Sequence, residues 1–182
     1  MTLLSIRRFS ENVRLRELGW TRNANRWSQR RAVWRFLATI SWLGNGWFWY
    51  ALIVALACSG LPAGEIAALQ MAVLGLVSLV LYKTLKRWSR RPRPLAVTAL
   101  TVRVAPLDEF SFPSGHTLHA VGFTLIAVAH LPILGWLLWP FTALVALSRV
   151  VLGLHYPSDV LAAILLGWGL AQLALRALPV AA

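Results

Sequence analysis

Two histidines in this sequence occupy positions suited to proton transfer and phosphate chemistry, and the first of them is His116. It follows the sequence Pro-Ser-Gly at 113–115, which combines turn and helix-start residues, and an apolar stretch begins at Leu118. A helix N-terminus presents unpaired backbone N–H groups and the positive end of the helix dipole, so it can hold a phosphate. An imidazole at that edge can supply or take a proton near neutral pH.

The second histidine, His155, lies four residues before Asp159. If a helix begins near His155, the two side chains share one face of that helix. A carboxylate beside one imidazole nitrogen fixes the tautomer and leaves the other nitrogen free to attack phosphorus. The pair therefore indicates a nucleophile and the group that orients it.

Three cations, Lys86, Arg93 and Arg149, fall where the surrounding sequence places them close to hydrocarbon. Charges at such a depth are costly unless they are paired or face a polar cavity. A phosphate dianion suits them, because arginine binds its oxygens as a fork and lysine acts as a point charge. Such a clamp also stabilises charge that develops during phosphoryl transfer. The neighbouring basic residues are interpreted as flanks of a membrane helix: Lys83, Arg87, Arg90 and Arg91.

Three sequence blocks contain these residues: Lys-x6-Arg-Pro at 86–94, Pro-Ser-Gly-His at 113–116 and Ser-Arg-x5-His-x3-Asp at 148–159. In this order they resemble the signature of the type 2 phosphatidic acid phosphatase superfamily, which also includes vanadium haloperoxidases. The resemblance implies that His155 forms a phosphohistidine, that Asp159 orients it, and that His116 acts first as acid and then as base. It also implies phosphate contacts from five residues: Lys86, Arg93, Ser114, the backbone N–H of Gly115, and Arg149.

The composition is typical of a polytopic membrane protein. Hydrophobic residues make up 58% of the 182 residues and charged residues only 13%, about half the charged fraction of a soluble domain. The net charge of +12 is interpreted as basic flanks of membrane helices that contact anionic lipid headgroups. The apolar segments leave little surface for nucleic acid, so no nucleic-acid partner is expected.

The remaining polar residues give weaker signals. The six acids do not cluster with paired histidines, so we expect neither a metal site nor a cofactor. His119 is interpreted as a packing residue that alternatively lines the site, and His130 as an interfacial residue. Asp108 and Glu109 are interpreted as members of a solvated loop that alternatively contact a headgroup. The single Cys58 excludes a disulfide framework.

The apolar pattern predicts an all-α membrane helix bundle in one domain of residues 1–182, with about five transmembrane helices and six as the alternative. Residues 1–31 form a basic segment, interpreted as an interfacial amphipathic helix or, alternatively, a partly ordered tail. The predicted spans are 33–59 with an interruption at 44–46, 65–82, 116–131, 133–151 and 158–178. The apolar face of the N-terminal helix is predicted to comprise Leu3, Leu4, Ile6, Phe9, Val13, Leu15 and Leu18.

Five spans place all three sequence blocks on the same side of the membrane, where they form one composite site. Nine arginines before residue 36 share that side, and the positive-inside rule then places the site in the cytoplasm. The family resemblance implies the outer face instead, so both orientations stay open. The expected location is the bacterial cytoplasmic (inner) membrane.

The expected function is a lipid phosphatase that hydrolyses phosphomonoester or diphosphate headgroups without a metal. The polyprenyl (undecaprenyl-type) lipids are the first expectation, by analogy with the family. The alternatives are a phosphatidylglycerol phosphate or phosphatidic acid phosphatase, or a lipid phosphotransferase that uses the same histidine. A haloperoxidase is disfavoured by the apolar spans, and a catalytically silent scaffold by the complete set of motif residues.

Overall fold

The structure is a computed structural model, and residues 15–106 and 108–177 of it are described here. In this part of the chain, helices dominate and the β-structure is an isolated bridge between Pro92 and Phe110. The predicted all-α membrane helix bundle is confirmed. The helices are α1 (residues 15–25), α2 (Arg31–Leu43), α3 (Trp47–Ala57), α4 (Pro62–Ser89), α5 (Pro94–Val97), α6 (Gly115–His130), α7 (Gly135–Val151) and α8 (Pro157–Ala177). Short 3-10 turns cover Arg26–Gln29 and Pro132–Leu134.

By length and apolar character, the described residues contain three or four candidate membrane spans, against about five predicted from the sequence. Three of them are α4, α7 with its preceding turn, and α8. The pair α2–α3, bent by 45°, is the fourth candidate. The remaining predicted span, 116–131, corresponds to α6, which has 16 residues. At 1.5 Å per residue it reaches about 24 Å, short of the ~30 Å hydrocarbon core.

Helix α6 lies at the centre of the bundle, where it packs against α4, α7 and α8. Most of its residues are buried, so protein surrounds most of its surface. Glycine allows the closest approach: a Cβ atom on Gly167 of α8 would lie 2.7 Å from the backbone oxygen of Leu118 in α6. The N-terminus of α6 is thereby fixed deep within the helix cluster.

Polar side chains join these helices inside the apolar core. The Nε2 atom of His130 lies 2.7 Å from Oε1 of Gln70, whose Nε2 atom donates to the carbonyl of Ala174 at 3.1 Å. These contacts connect α6, α4 and α8. His130, predicted to be interfacial, is the last residue of α6, and its side chain is buried between helices. Buried polar groups are retained where, as here, they find hydrogen-bond partners.

Helix α4 continues two turns beyond residue 82, through the basic end that the sequence predicted after the apolar span. It ends at Ser89, where Arg90 adopts a left-handed conformation with φ of 45°. The extension carries Lys86 and Arg87, which suit the negative end of the helix dipole. Lys86 is therefore held by a regular helix and not by a loop.

The first helix, part of the predicted interfacial amphipathic segment, presents a polar face to the protein. Glu17, Thr21 and Asn25, spaced four residues apart, are buried. Of the predicted apolar face, Leu18 is buried but Leu15 is exposed. Four-residue spacing places the three polar side chains on one side of a helix. The rest of the predicted face lies outside the described residues: Leu3, Leu4, Ile6, Phe9 and Val13.

Substitution of Gly167 by alanine tests the close α6–α8 contact. Alanine favours a helix by about 1 kcal/mol over glycine, but here its methyl group meets backbone 2.7 Å away. Overpacking of this kind costs about 1–3 kcal/mol, so we expect a lower thermal unfolding midpoint in detergent. The matched control is Gly169→Ala, where nothing lies within 4 Å and the midpoint is expected to stay or rise. Equal midpoints for both variants would contradict the packing described.

Candidate active site

One cavity of about 610 Å³ brings together residues from all three sequence blocks. Six of the eight predicted site residues line it, whereas Ser114 and Asp159 lie behind its wall. The six arrive from α4, the loop after it, the start of α6, the end of α7 and the turn before α8. These lining residues are Lys86, Arg93, Gly115, His116, Arg149 and His155.

His155 is held by the tight turn that joins α7 to α8. Its backbone N–H donates to the carbonyl of Arg149 at 3.0 Å, and Gly153 makes the turn with a φ of +73°. The Nε2 atom of the ring lies 3.3 Å from Nη1 of Arg93. Because a guanidinium group only donates, this nitrogen is the unprotonated one. Nε2 therefore carries the lone pair, which accepts from Arg93, and the proton resides on Nδ1.

The surroundings of His155 keep its ring neutral. Burial, followed by the positive charges of Arg149, Arg93 and Lys86, holds the pKa of His155 well below its usual range. Burial disfavours the charged form of an imidazole, and neighbouring cations act in the same direction. At neutral pH the ring is thus an uncharged base with an available lone pair, as a nucleophile requires.

Asp159 lies beside His155, but the two do not share a helix face as predicted. Helix α8 begins at Pro157, so His155 precedes it. The Nδ1 atom of His155 is 3.6 Å from Oδ2 of Asp159, which is too long for a hydrogen bond. Oδ2 accepts instead from the backbone N–H of Tyr156 at 2.9 Å, and Oδ1 accepts from Nη1 of Arg91 at 2.7 Å. Arg91, interpreted as a helix flank, thus belongs to the site.

The three motif cations are almost completely buried, with exposures of 5% for Lys86, 3% for Arg93 and 3% for Arg149. Arg93 donates from Nη1 to the carbonyl of Leu154 at 2.6 Å, and Arg149 donates from Nη1 to Oγ of Ser41 in α2. Within the described residues, Arg149 has no carboxylate at ion-pair distance. A buried guanidinium group without a counter-charge is costly, and an anion in the cavity would remove that cost.

Asp108 contacts two cations of the site, a role that the sequence analysis did not assign to it. Its Oδ1 atom lies 2.8 Å from Nζ of Lys86 and 2.5 Å from Nη2 of Arg93. Burial alone would raise its pKa, but the hydrogen bonds and charges of those two cations outweigh burial, so the pKa of Asp108 is lowered. Its side chain is 40% exposed, so Asp108 is a solvent-accessible loop residue, as interpreted, that also pairs with two cations of the site. The available signal was its position between the first two sequence blocks in a chain with few acids.

At the start of α6, some residues line the cavity and others are buried in the core. Gly115 and His116 line the cavity. Ser114 is buried as the N-cap, with its Oγ atom 3.0 Å from Oγ1 of Thr117 and its backbone N–H donating to the carbonyl of Asp159 at 3.3 Å. The Ser114 side chain thus faces Thr117. His119, one turn along α6, lines the cavity and also stacks on Phe123 with ring centroids 5.4 Å apart.

The cavity has a polar end and an apolar end. Away from the cations its wall consists of apolar and aromatic side chains from α3 and α4. Three of these residues, Tyr50, Val54 and Leu76, have exposures of 63%, 61% and 67%. The apolar end therefore reaches the outer surface of the bundle between α3 and α4.

Metal-ligand geometry is not found in the part of the chain that the structure describes. No group of three or more His, Cys, Asp or Glu side chains within residues 15–106 and 108–177 is arranged to hold a metal ion. Within those ranges the charged groups that line the cavity are four cations and one acid: Lys83, Lys86, Arg93, Arg149 and Asp108.

Comparison with known proteins gives a consistent picture. Residues 66–181 match the family model of the PAP2 superfamily. Phosphatidylglycerophosphatase B from Haemophilus influenzae is 41% identical over 71 residues, which cover 32% of this chain and 29% of that protein. Decaprenylphosphoryl-5-phosphoribose phosphatase from Mycobacterium tuberculosis is 35% identical over 124 residues, covering 67% and 66%. The match thus spans under a third of the first relative and about two thirds of the second.

A solved structure is similar over most of the chain. The transmembrane PAP2-type phosphatidylglycerolphosphate phosphatase from Bacillus subtilis superposes with a TM-score of 0.70 at 28% identity. The superposition covers 90% of this chain and 84% of the other. The arrangement of helices is therefore shared.

Neutralising Asp108 tests the charge balance of the cavity. In Asp108→Asn, Lys86 and Arg93 lose a resident counter-charge, so an added anion should bind more tightly. We expect the dissociation constant of inorganic phosphate, measured by isothermal titration calorimetry, to fall about threefold or more, equivalent to ~0.7 kcal/mol. The matched control is Glu109→Gln, which removes the same charge from the neighbouring residue and should leave the constant unchanged. Weaker phosphate binding in Asp108→Asn would contradict the account.

Proposed function

The chain is an integral membrane protein of the PAP2 superfamily, and from this premise we propose that it is a lipid phosphatase acting through a phosphohistidine at His155. One observation carries the proposal. A single cavity contains a neutral imidazole with an unprotonated Nε2, a second imidazole and three buried cations, and it also opens toward the apolar surface. These are the groups that transfer of a phosphoryl group from a lipid requires.

In the first step, the lone pair of Nε2 of His155 attacks phosphorus while Lys86, Arg93 and Arg149 bind the phosphoryl oxygens. The bond between phosphorus and the leaving oxygen breaks, and His116 gives its proton to that oxygen. The negative charge of the bound phosphate favours the protonated form of His116. The products are a phosphohistidine and the free lipid alcohol or lipid monophosphate.

In the second step, His116, now neutral, takes a proton from a water molecule that attacks the same phosphorus. The N–P bond breaks, its electron pair returns to Nε2 of His155, and inorganic phosphate is released with His116 protonated again. The three cations stabilise the negative charge on phosphorus in both steps. No metal or cofactor is assigned a part in this proposal.

The shape of the cavity supports a lipid substrate. Its charged end accommodates a phosphate group, and its apolar end, open between α3 and α4, accommodates a hydrocarbon chain that stays in the bilayer. Among lipid phosphates we propose the polyprenyl class. The support is the mycobacterial relative, whose name specifies a decaprenylphosphoryl compound and whose match covers two thirds of this chain.

The proposed setting is the bacterial cytoplasmic membrane, with anionic lipid headgroups as partners of the basic N-terminal region. Exposed arginines of the described residues around α1 and α2 support that contact, since basic side chains at a membrane surface attract anionic lipids. They are Arg16, Arg22, Arg26, Arg30, Arg31 and Arg35.

The test is phosphate release from a panel of lipid phosphates in detergent with EDTA present. The panel comprises undecaprenyl diphosphate, undecaprenyl phosphate, phosphatidylglycerol phosphate and phosphatidic acid. We expect release with EDTA present, fastest from a polyprenyl lipid. His155→Asn should lower kcat by at least about 10³-fold, and His116→Asn by about 10²–10⁴-fold, the range of general acid–base catalysis.

The matched control is His130→Gln, because His130 lies at the opposite end of α6 from His116 and glutamine retains a hydrogen-bonding side chain. Its kcat should stay within about twofold of the wild type, since it makes no contact with the cavity. Undiminished turnover in His155→Asn, or complete loss of activity on metal chelation, would overturn the proposal. Label recovered in a second lipid without free phosphate would identify a phosphotransferase instead.

A further inference from the structure

A buried carboxylate outside the sequence blocks is connected to the proposed nucleophile. Glu17, in the N-terminal helix α1, is 3% exposed. Its Oε2 atom lies 2.5 Å from Nη2 of Arg91, and its Oε1 atom accepts from the backbone N–H of Ser158 at 2.9 Å. Ser158 lies in the first turn of α8, where a carboxylate is favoured by unpaired N–H groups and the helix dipole. Glu17 therefore binds the same helix end that carries Asp159.

Arg91 lies between two carboxylates. One of its terminal nitrogens contacts Glu17, and the other donates to Oδ1 of Asp159 and to Oγ of Ser158, both at 2.7 Å. The guanidinium carbon lies 4.1 Å from the ring centroid of Tyr156. The planar group is thus fixed on each side and cannot turn without losing these contacts.

We propose that Glu17 is a positioning residue for the reaction, because it shares the charge of Arg91 and thereby leaves Asp159 with a net negative charge toward His155. This inference rests on the role proposed for His155. If Arg91 paired with Asp159 alone, one cation would cancel the carboxylate that faces Nδ1. With Glu17 present, the group of Glu17, Arg91 and Asp159 carries a net charge of −1.

The other groups around His155 explain why a net negative charge on Asp159 matters. During phosphoryl transfer Nε2 becomes bonded to phosphorus, and positive charge develops on the ring, whose Nδ1 faces Oδ2 of Asp159 at 3.6 Å. A carboxylate that is not neutralised can stabilise that charge. The other charged and titratable groups around His155 are three cations, one imidazole and one carboxylate: Arg149, Arg93, Lys86, His116 and Asp108. Asp108 is already paired with Lys86 and Arg93, so the positive charge is only partly balanced on that side of the ring.

The docking of α1 does not depend on Glu17 alone. At the other end of the helix, Nδ2 of Asn25 donates to the carbonyl of Val151 at 3.0 Å, and its Oδ1 accepts from the backbone N–H of Thr101 at 2.9 Å. Glutamine in place of Glu17 also keeps an oxygen that can accept from Ser158. The substitution Glu17→Gln should therefore remove one charge without detaching the helix.

The experiment compares Glu17→Gln, Arg91→Gln and Glu17→Asp in the full-length protein in detergent, with steady-state kinetics over the acid pH range. Glu17→Gln should lower kcat about tenfold with KM within twofold, because the loss falls on the transition state. It makes the surroundings of His155 more positive, so the acid limb of kcat/KM should move to lower pH. Arg91→Gln makes them more negative, so the limb should move to higher pH. Glu17→Asp keeps the charge and should restore the wild-type limb.

A measurement without turnover keeps the inference separate from the proposed function. The ring of His155 is followed by NMR in protein labelled with ¹³C at histidine, with assignment by His155→Asn. The pH at which the His155 ring titrates should fall in Glu17→Gln and rise in Arg91→Gln. The matched control is Glu65→Gln, an exposed acid in the first turn of α4, which should move neither the titration nor kcat.

The outcomes separate the two ideas. If the wild type releases no phosphate but the titrations move as stated, the proposed function fails and the link from Glu17 to His155 stands. If the wild type is active and Glu17→Gln has wild-type kcat, the inference fails alone. If Glu17 had a purely structural role, the unfolding midpoints of Glu17→Gln and Arg91→Gln would fall, but the acid limb of kcat/KM would stay at the wild-type pH in both variants. This result would also overturn the inference.

Discussion

Repulsion among three buried cations is the constraint on which the site depends. Lys86, Arg93 and Arg149 are nearly inaccessible to water, and like charges at such positions destabilise the fold unless an anion lies among them. Asp108 supplies one carboxylate to two of the three, and no carboxylate of the described residues pairs with Arg149. In our proposal, the phosphate of the substrate completes this balance. The same positive surroundings keep His155 neutral, so one arrangement of charge both attracts the anion and preserves the lone pair that attacks it.

The helices give each part of this arrangement a fixed place. The last two turns of α4 carry Lys86, the short central helix α6 brings His116 to the cavity, and the turn after α7 holds His155. Close packing of α6 on α8 at Gly167 ties the second sequence block to the third. Helix α1 then joins the first block to the third through the contacts of Glu17. The substrate we propose has the same two-part character as the cavity, with a charged headgroup and a hydrocarbon chain.

The sequence predicted the fold class, the helical character of the apolar segments and six of the residues that meet in the cavity, because motif spacing and hydrophobic pattern are local properties. It did not predict contacts that depend on which helices become neighbours. Asp108 lies 22 positions from Lys86 and Glu17 lies 74 positions from Arg91, and no local pattern connects residues so distant. The buried position of His130 was missed because its partner Gln70 is on another helix. The span count differed because a short apolar segment does not indicate whether lipid or protein surrounds it.

Identification of the phosphorylated residue tests the central claim most directly. A lipid diphosphate has a leaving group that needs little protonation, so this substrate should still phosphorylate His155 in the His116→Ala variant. Hydrolysis of the phosphohistidine should be slow, because the base that activates water is missing. The account predicts that phosphate accumulates on Nε2 of His155 in this variant, mapped by mass spectrometry at neutral pH, and that none appears when His155 is replaced as well. Phosphate on a different side chain, or continued phosphate release by the His155 variant without any covalent species, would contradict it.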